Sequence, residues 1–316
     1  MTNTPTPVIG IDFGGTSVKL AVVEGESLLS EVHRLPTQEF DNPDQLIDRI
    51  VAEITEIRSQ HPAVAAIGIG VPGAVNFFSG MTYNLTNVRG WSEVPLRDIV
   101  SAKTGLPTVI ENDANCMAFA EWKYGAAKGY RHAVCVTLGT GVGGGLILNG
   151  DLFRGANCAA GEIGQMSIDL NGVPGPYGNT GALERYIGNR QISGMAAAIY
   201  TAKGIPFPAD FSPEALAELA GKGDSAAIEV WNEVARCLGF CLMNVVYLLN
   251  PEIIVVGGGV SEAGALLFEP LRETMRHSLT AECFNHLIIS PARYGNTAGI
   301  LGSSAMAADL YRDRPQ

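Results

Sequence analysis

The feature of this sequence that most restricts its fold is a pattern of strand, glycine turn, strand and glycine turn that occurs twice. In the first copy one apolar run ends at Phe13-Gly14 and the next ends at Glu24-Gly25. In the second copy the corresponding dipeptides are Leu138-Gly139 and Asn149-Gly150, at the same offset. Because repetition of a unit indicates a duplicated architecture, we predict two α/β halves that begin in the same way.

Each hairpin is followed by helices that alternate with strands, the order expected for an α/β domain. Asn42-Pro43 and Ser212-Pro213 each predict a helix start, since they combine a capping residue with proline at the first helical position. The second half of a long helix over 225–249 is almost wholly apolar and should be buried in the core or against a partner subunit. The other predicted elements are strands at 28–35, 64–71, 107–110, 133–138, 253–256 and 287–289, and helices at 95–104, 114–124, from Ser261 and at 297–311.

Two domains follow from this order. We predict a smaller N-terminal α/β domain at 1–117, completed by the C-terminal helix at 297–316, and a larger α/β domain at 118–296.

Length and charge limit what the chain can bind. Its 316 residues suffice for two domains of ordinary size. A formal net charge of −11 disfavours nucleic acid and anionic membranes as partners, because both would repel the protein. The N-terminus lacks signal-peptide features, and the six cysteines lack C-x-x-C spacing. We therefore expect a cytoplasmic protein with reduced thiols and a small-molecule ligand.

The first glycine turn has the composition of a phosphate-binding site. Backbone N–H groups at Gly14 and Gly15, with the Thr16 hydroxyl and the Lys19 ammonium nearby, could hold phosphate, and Asp12 could hold a divalent cation or its waters. Either positive φ or a close approach would explain the glycines. A plain tight hairpin explains these residues equally well.

Two further glycine clusters favour nucleotide binding. The second begins at Gly139, Thr140 and Gly141 and matches G-x-G-x-x-G, but a strand rather than a helix follows it, which excludes a Rossmann dinucleotide site. The third, Gly257, Gly258 and Gly259, ends a strand and could lie against a base or ribose. Three such clusters make unrelated turns a poor explanation.

Candidate acceptor-site residues stand at Asn112 and Asp113, where a buried strand meets a helix. There the amide could bind a hydroxyl and the helix dipole favours the carboxylate, although a simple helix cap explains both residues as well. Glu162 and Gln165 are three residues apart and could face one ligand if the segment is helical. A turn-rich loop at 171–181 leads to Glu184.

Taken together, these residues resemble the ROK family of repressors, open reading frames and kinases, and within it the bacterial glucokinase branch. The resemblance runs almost end to end. The motifs that carry it are D-x-G-G-T at 12–16, G-V-P-G at 70–73, N-x-x-G-W at 87–91, E-N-D-A-N at 111–115, L-G-T-G-x-G-G-G at 138–145 and G-E-x-G at 161–164.

The resemblance implies a duplicated actin-like ATPase (ribonuclease H-like) fold, with a cleft between two domains for sugar and ATP, and a homodimer. It makes Asp113 the catalytic base. The implied sugar ligands are Gly73, Asn87, Asn112, Asp113, Glu162, Gln165 and Glu184. The implied ATP and Mg²⁺ contacts are Asp12, Gly14, Gly15, Thr16, Lys19, Gly139, Thr140, Gly141, Gly257, Gly258 and Gly259, with Asp12 as the metal residue.

The chain departs from the family at its zinc site. Most relatives bind a structural zinc through one histidine and three cysteines, whose positions here hold Gln165, Gly175, Tyr177 and Ala182. We therefore expect no structural zinc. Gln165 could contact the sugar in place of the histidine, or it could instead support the 171–181 loop.

The sequence thus predicts ATP- and Mg²⁺-dependent phosphorylation of a hexose, glucose at O6 in first place. A kinase for mannose, fructose or an N-acetylated hexosamine is the nearest alternative, and the phosphate donor could be polyphosphate. A sugar-sensing repressor is disfavoured, since only seven residues precede Val8, where repressor relatives carry a DNA-binding domain.

Overall fold

The computed structural model describes residues 6–85 and 88–312 and shows a mixed α/β chain. The strands are β1 Val8–Phe13, β2 Ser17–Glu24, β3 Ser27–Leu28, β4 His33–Pro36, β5 Ile67–Val71, β6 Val75–Asn76, β7 Met81–Thr82, β8 Thr108–Asn112, β9 Ala133–Leu138, β10 Val142–Leu148, β11 Asp151–Leu152, β12 Ile253–Gly257 and β13 Ile288–Pro291. The α-helices are α1 Pro43–Gln60, α2 Leu96–Thr104, α3 Asp113–Lys123, α4 Glu184–Ile187, α5 Asn189–Lys203, α6 Pro213–Gly221, α7 Ser225–Leu249, α8 Ala265–Ser278, α9 Ala281–Phe284 and α10 Ala298–Arg312.

The chain forms two compact units. The first comprises the described residues within Met1–Lys128, Leu152–Ala160 and Asn296–Gln316, and the second comprises Gly129–Asp151 and Gly161–Gly295. These units differ from the predicted domains in two places. Helix α3 packs along α10 and so keeps the chain in the first unit beyond residue 117. Leu152–Ala160 also belongs to the first unit, where Arg154 pairs with Glu111.

The first unit is built on a sheet in the order β3-β2-β1-β5-β8, with β4 also paired to β2. Strands β1, β5 and β8 are parallel, and β1 and β2 form the predicted antiparallel hairpin. Helix α1 begins with the predicted cap, since the Asn42 side chain accepts a hydrogen bond from the Gln45 N–H at 3.0 Å. Its buried face, including Ile50 and Ile54, joins the apolar core of the sheet.

Helix α10 lies unusually close to this sheet. A Cβ atom on Gly10 would overlap the carbonyl oxygen of Ile300, and one on Gly68 would overlap that of Ser303. The Ile11 N–H donates to Ser303 Oγ at 3.2 Å. Since alternate strand residues point to opposite faces, α10 covers the face opposite α1. Glycine in β1 and β5 therefore sets the packing distance of this helix.

The second unit repeats the plan with a sheet in the order β11-β10-β9-β12-β13. Strands β9 and β10 form the second predicted hairpin, while β12 runs parallel to both β9 and β13. Helix α7 packs on α5 and α8. It alone among the described helices has the length and apolar composition of a membrane span, and half of that span is buried in the protein.

Two sequence predictions need correction, and the structure narrows two others. The strand expected at 28–35 is two short strands, because the Ser30 hydroxyl accepts the Val22 N–H bond at 3.0 Å between them. A 3₁₀ turn at Gly259–Ala263 precedes α8, which begins at Ala265 rather than Ser261. Glu162 caps a 3₁₀ turn, not an α-helix. The end of α7 is only partly buried within the chain, since Leu248 is 79% exposed, so of the two predicted possibilities burial in the core does not hold for this end.

We expect Gly68→Ala to destabilise the protein by about 1–3 kcal/mol, because the new methyl group would overlap the Ser303 carbonyl. Thermal unfolding should show a Tm lower by about 2–10 °C. Gly194→Ala is the matched control, because Gly194 lies exposed within α5 with open space around its Cβ position and alanine favours helix. Equal Tm values for the two variants would contradict this packing.

Candidate active site

The carboxyl edge of the first unit's parallel strands collects several predicted site residues. Asp12 in β1 is in register with Gly70 in β5, and Val71 is in register with Asn112 in β8. Open α/β sheets bind their ligands at this edge. The topology thus places Asp12 and the Asn112–Asp113 turn at the same edge of the sheet.

Asn112 and Asp113 form a tightly hydrogen-bonded helix start. Asn112 Oδ1 accepts from the N–H groups of Ala114 and Asn115 at 3.0 and 3.1 Å, so Asn112 is the N-cap of α3. Its Nδ2 donates to the Gly73 carbonyl and to Asp113 Oδ1, both at 3.1 Å. Asp113 Oδ1 also accepts from the Ala114 N–H at 2.9 Å. The predicted helix cap is therefore confirmed, and the capping amide also orients the Asp113 carboxylate.

The Gly73 loop is held beside this turn. Gly73 has φ of +78°, a conformation that favours glycine, and is exposed. Farther along, Trp91 donates from Nε1 to Thr82 Oγ1 at 2.9 Å and packs edge-on to Phe13, with centroids 5.5 Å apart. Asn87, predicted as a sugar ligand, lies outside the described residues.

Sequence reasoning missed a buried ion pair behind the turn. Arg154 Nε lies 2.6 Å from Glu111 Oε2, with side-chain exposures of 17% and 2%. The Arg154 guanidinium also stacks 3.9 Å from the Phe77 ring centroid. The only sequence signal was a glutamate at the end of a buried strand, since a buried carboxylate needs a partner.

The first glycine hairpin places a carboxylate and an ammonium together. Lys19 Nζ lies 3.1 Å from Asp12 Oδ2, and the two residues are directly cross-strand. Gly14 does not adopt positive φ; its Cβ position lies 3.1 Å from the Ser17 carbonyl oxygen, so close approach is the reason for glycine there. Thr37 donates from its hydroxyl to the Gly15 carbonyl at 3.0 Å and from its N–H to the Thr16 carbonyl at 3.1 Å.

Asp12 also lies at the start of α10, since a Cβ on Gly299 would come within 2.7 Å of its Oδ1. A carboxylate is favoured at a helix N-terminus. Magnesium is commonly bound in proteins by one or two carboxylates plus waters and substrate phosphates. The Asp12 carboxylate therefore fits this role.

In the second unit two glycine clusters are neighbours. Gly257 is in register with Thr137, and Gly258 has φ of +84° with its Cβ position overlapping the Leu138 carbonyl oxygen. Only glycine satisfies both constraints. The Cβ position of Gly139 has no atom within 4 Å, but its N–H donates to the Gly141 carbonyl at 3.0 Å and its carbonyl accepts from the Asn189 N–H at 2.9 Å.

Glu184 links the second glycine turn to the polar segment at 162–165. Its Oε2 accepts from the Val142 N–H at 3.0 Å and occupies the space that a Cβ on Gly141 would need. Gln165 Nε2 donates to Glu184 Oε1 at 3.4 Å, while Gln165 Oε1 is buried without a hydrogen-bond partner. Burial removes water from the Glu162 carboxylate and raises its pKa, and the negative charge of Glu184 raises it further.

The loop after Gln165 is held by hydrogen bonds. Asn179 Nδ2 donates to the Gln165 backbone carbonyl at 3.0 Å, and Ser167 Oγ donates to the Thr180 carbonyl at 2.6 Å. Tyr186 accepts from the Val173 N–H at 3.3 Å. Among residues 6–85 and 88–312, no three histidine, cysteine or acidic side chains form a cluster suited to a metal.

The cysteines in α3 and α7 are buried thiols. Burial raises the pKa of Cys116 well above its usual value, and raises those of Cys237 and Cys241 to about 12. Such groups are protonated at neutral pH and unreactive.

We expect Glu162→Gln to raise Tm at pH 7.5. The folded-state pKa of Glu162 lies above its unfolded value, so its ionisation opposes folding at neutral pH, and this effect disappears below about pH 4.5. Thermal melts at pH 7.5 and pH 4 would measure the difference.

Glu233→Gln is the control of opposite sign. The Arg236 hydrogen bond lowers the pKa of Glu233, so this substitution should lower Tm at pH 7.5. A lower Tm for Glu162→Gln at pH 7.5 would contradict the electrostatic account.

Comparison with known proteins identifies the family of the chain. The sequence profile of the ROK family matches residues 8–310. The glucokinase of Streptomyces coelicolor is 34% identical over 316 residues, covering 96% of this chain and 97% of that protein. A ROK family glucokinase from Streptomyces griseus, solved with glucose and AMPPNP, is 31% identical with a TM-score of 0.81, covering 96% of this chain and 99% of the other.

A ROK hexokinase from Thermus thermophilus is 30% identical with a TM-score of 0.83, covering 98% of this chain and all (100%) of the other. The predicted actin-like ATPase fold is confirmed by these structures. The chain belongs to the ROK family.

Proposed function

We propose that this sugar kinase transfers the γ-phosphoryl group of ATP to the 6-hydroxyl of glucose. The observation that carries the proposal is the Asp113 carboxylate, whose Oδ1 is held by the Ala114 N–H and the Asn112 amide at the carboxyl edge of the sheet. An orientation fixed by two donors is what a general base requires. The similarity to glucokinases supports glucose over other hexoses.

In the proposed mechanism Asp113 orients the sugar hydroxyl and accepts its proton as the oxygen attacks the phosphorus in line. Phosphoryl transfer needs little covalent chemistry from the protein, so positioning and charge neutralisation supply most of the catalysis. The ordered Asn112 cap serves this positioning by fixing the carboxylate.

The other sugar hydroxyls have several candidate partners. Gly73 offers its backbone groups. Asn112, whose amide already makes four hydrogen bonds, would exchange its bond to the Gly73 carbonyl for one to the sugar, and Asn87 is the predicted third ligand. In the second unit, Glu162 and Glu184 can accept hydroxyl hydrogen bonds. We assign Gln165 to the sugar as well, since its loop contact uses the backbone carbonyl while its side chain faces Glu184.

The glycine clusters are the proposed nucleotide site. Phosphate is the proposed ligand of Gly14, Gly15, Thr16 and Lys19, and also of Gly139, Thr140 and Gly141. The adenosine is the proposed ligand of Gly257–Gly259. Asp12 would hold Mg²⁺, directly or through water; the ion, when bound, neutralises charge on the phosphates. We still expect no structural zinc, because the four family ligand positions hold residues that do not bind it.

An ADP-release assay over a panel of sugars tests this function. We expect turnover with glucose and less with mannose, fructose and N-acetylated hexosamines. Asp113→Asn should lower kcat on glucose by at least about 10²-fold with sugar affinity largely kept, because the amide keeps the shape but accepts no proton.

Asp98→Asn is the matched control, since Asp98 also lies in the first turn of a helix of the same unit. It loses the same favourable dipole interaction, worth about 0.3–1 kcal/mol, and should keep full activity. Asp113→Asn activity within a few-fold of wild type would reduce Asp113 to a structural role.

We also propose a cytoplasmic homodimer. The end of α7 leaves apolar side chains exposed, with Phe240 at 38%, Tyr247 at 51% and Leu248 at 79%. These three residues form the α7 patch. Neighbouring large apolar side chains exposed on one helix are typical of an interaction surface. A second copy of the chain would cover them.

Leu248→Asp should convert the dimer to a monomer, since a carboxylate would be dehydrated at the interface. Light scattering with size-exclusion chromatography measures the mass. Leu170→Asp is the control, because Leu170 is also an exposed leucine (89%) but lies in the loop after Gln165. A dimer that survives Leu248→Asp would exclude the α7 patch as its interface.

A further inference from the structure

The buried ion pair behind the Asn112–Asp113 turn has no place in the chemistry described so far. Glu111 Oε1 accepts from the Asn112 N–H at 2.9 Å and from Asn115 Nδ2 at 3.0 Å. Its Oε2 binds Arg154 Nε at 2.6 Å. One carboxylate thus ties together the last strand residue, the first turn of α3 and a distant arginine.

Arg154 itself is fixed from several sides. It follows β11 in the Leu152–Ala160 segment, where its carbonyl accepts from the Ala160 N–H at 3.1 Å. The guanidinium stacks on Phe77, just after β6. The chain between β5 and β6 contains Gly73, whose carbonyl accepts from Asn112. Arg154 therefore contacts the end of β8 through Glu111, which accepts the Asn112 N–H, and contacts through Phe77 the chain just after the β6 strand that follows the Gly73 loop.

Because the pair is buried, its hydrogen bond is strong and the loss of either partner is costly in stability. Hydrogen bonds to an ionised group are stronger than neutral ones. A carboxylate only 2% exposed would be left uncompensated if its cation were removed. By contrast, a helix cap alone needs only the Asn112 side chain, which already accepts both N–H bonds.

We propose that Arg154 and Glu111 are positioning residues that hold the Asn112–Asp113 turn in its reactive geometry. This inference rests on the proposed catalytic role of Asp113. A displacement of about 1 Å at a reacting group can cost about 10²-fold in rate. The pair acts through the Asn112 backbone and does not itself touch the sugar or ATP.

The test separates positioning from stability with a double variant. Arg154→Met keeps the apolar stem on Phe77, and Glu111→Gln keeps the side-chain shape. Each single variant should lower Tm, because each leaves one charge or polar group without its partner. The double variant removes both charges and leaves only the NH2 group of the new glutamine without a partner, so it should recover most of the Tm that the single variants lose. Its kcat should stay about 10- to 100-fold low, with KM for ATP unchanged.

Arg154→Lys should keep more kcat than Arg154→Met, since it retains the charge but loses the planar contact with Phe77. Lys123→Met with Asp309→Asn is the matched control. Lys123 pairs with Asp309 at 2.9 Å and lies 5.0 Å from the Trp122 ring at the other end of α3. This control pair should leave kcat unchanged.

Hydrogen–deuterium exchange gives a readout that does not depend on activity. The double variant should exchange faster over 111–116 than wild type when each protein is measured equally far below its own Tm. Recovery of kcat together with Tm, or unchanged exchange over 111–116, would overturn the proposal. A wild-type chain that phosphorylates no sugar would defeat the proposed function, while the exchange measurement would still decide whether the pair holds the turn.

Discussion

The close packing of α10 on β1 and β5 is the constraint on which the first unit depends. Gly10 and Gly68 allow the helix backbone to touch the sheet, and Ser303 accepts the Ile11 N–H across 292 residues of sequence. A Cβ on Gly302 would likewise overlap the Cys116 carbonyl oxygen in α3. This packing brings the start of α10 to the Asp12 carboxylate, so a helix near the C-terminus lies beside a candidate site residue near the N-terminus. In the second unit the parallel pairing of β9 with β12 makes two glycine turns neighbours, and Gly258 permits the close contact with the Leu138 carbonyl there.

The site residues share a simple electrostatic plan. Carboxylates lie where helix N-termini or cations favour them: Asp12 beside Lys19 and the start of α10, and Asp113 in the first turn of α3. Glu162 is the exception, since surrounding protein and Glu184 disfavour its charge and raise its pKa. Perturbed groups of this kind are common at functional sites, where stability is lost for the sake of binding. The Asn112 side chain does two things at once: it caps α3 and it orients the Asp113 carboxylate.

Local signals in the sequence predicted local structure well. The Asn42-Pro43 and Ser212-Pro213 starts, the two hairpins and the long α7 are all confirmed. The strand at 28–35 failed because a serine side chain replaces a backbone partner, which no propensity reveals. The Glu111–Arg154 pair was missed because its members are 43 residues apart and neither lies in a motif that demands the other. For the same reason the glycines of β1 and β5 could be predicted only as strand residues, not as contacts of α10. The Asn112–Asp113 helix start could be predicted, since a capping residue follows a buried strand; the roles of this turn and of the glycine clusters in binding and catalysis stay predictions.

The central claim is that the Asp113 edge of the first unit serves transfer of phosphate to the 6-hydroxyl of glucose. The most direct measurement is ¹H–³¹P correlation NMR of the product formed by the purified wild-type chain with ATP, Mg²⁺ and glucose. The account predicts one sugar phosphate whose phosphorus couples to the two protons on C6. Phosphate on any other hydroxyl, or no phosphorylated sugar at all, would contradict it.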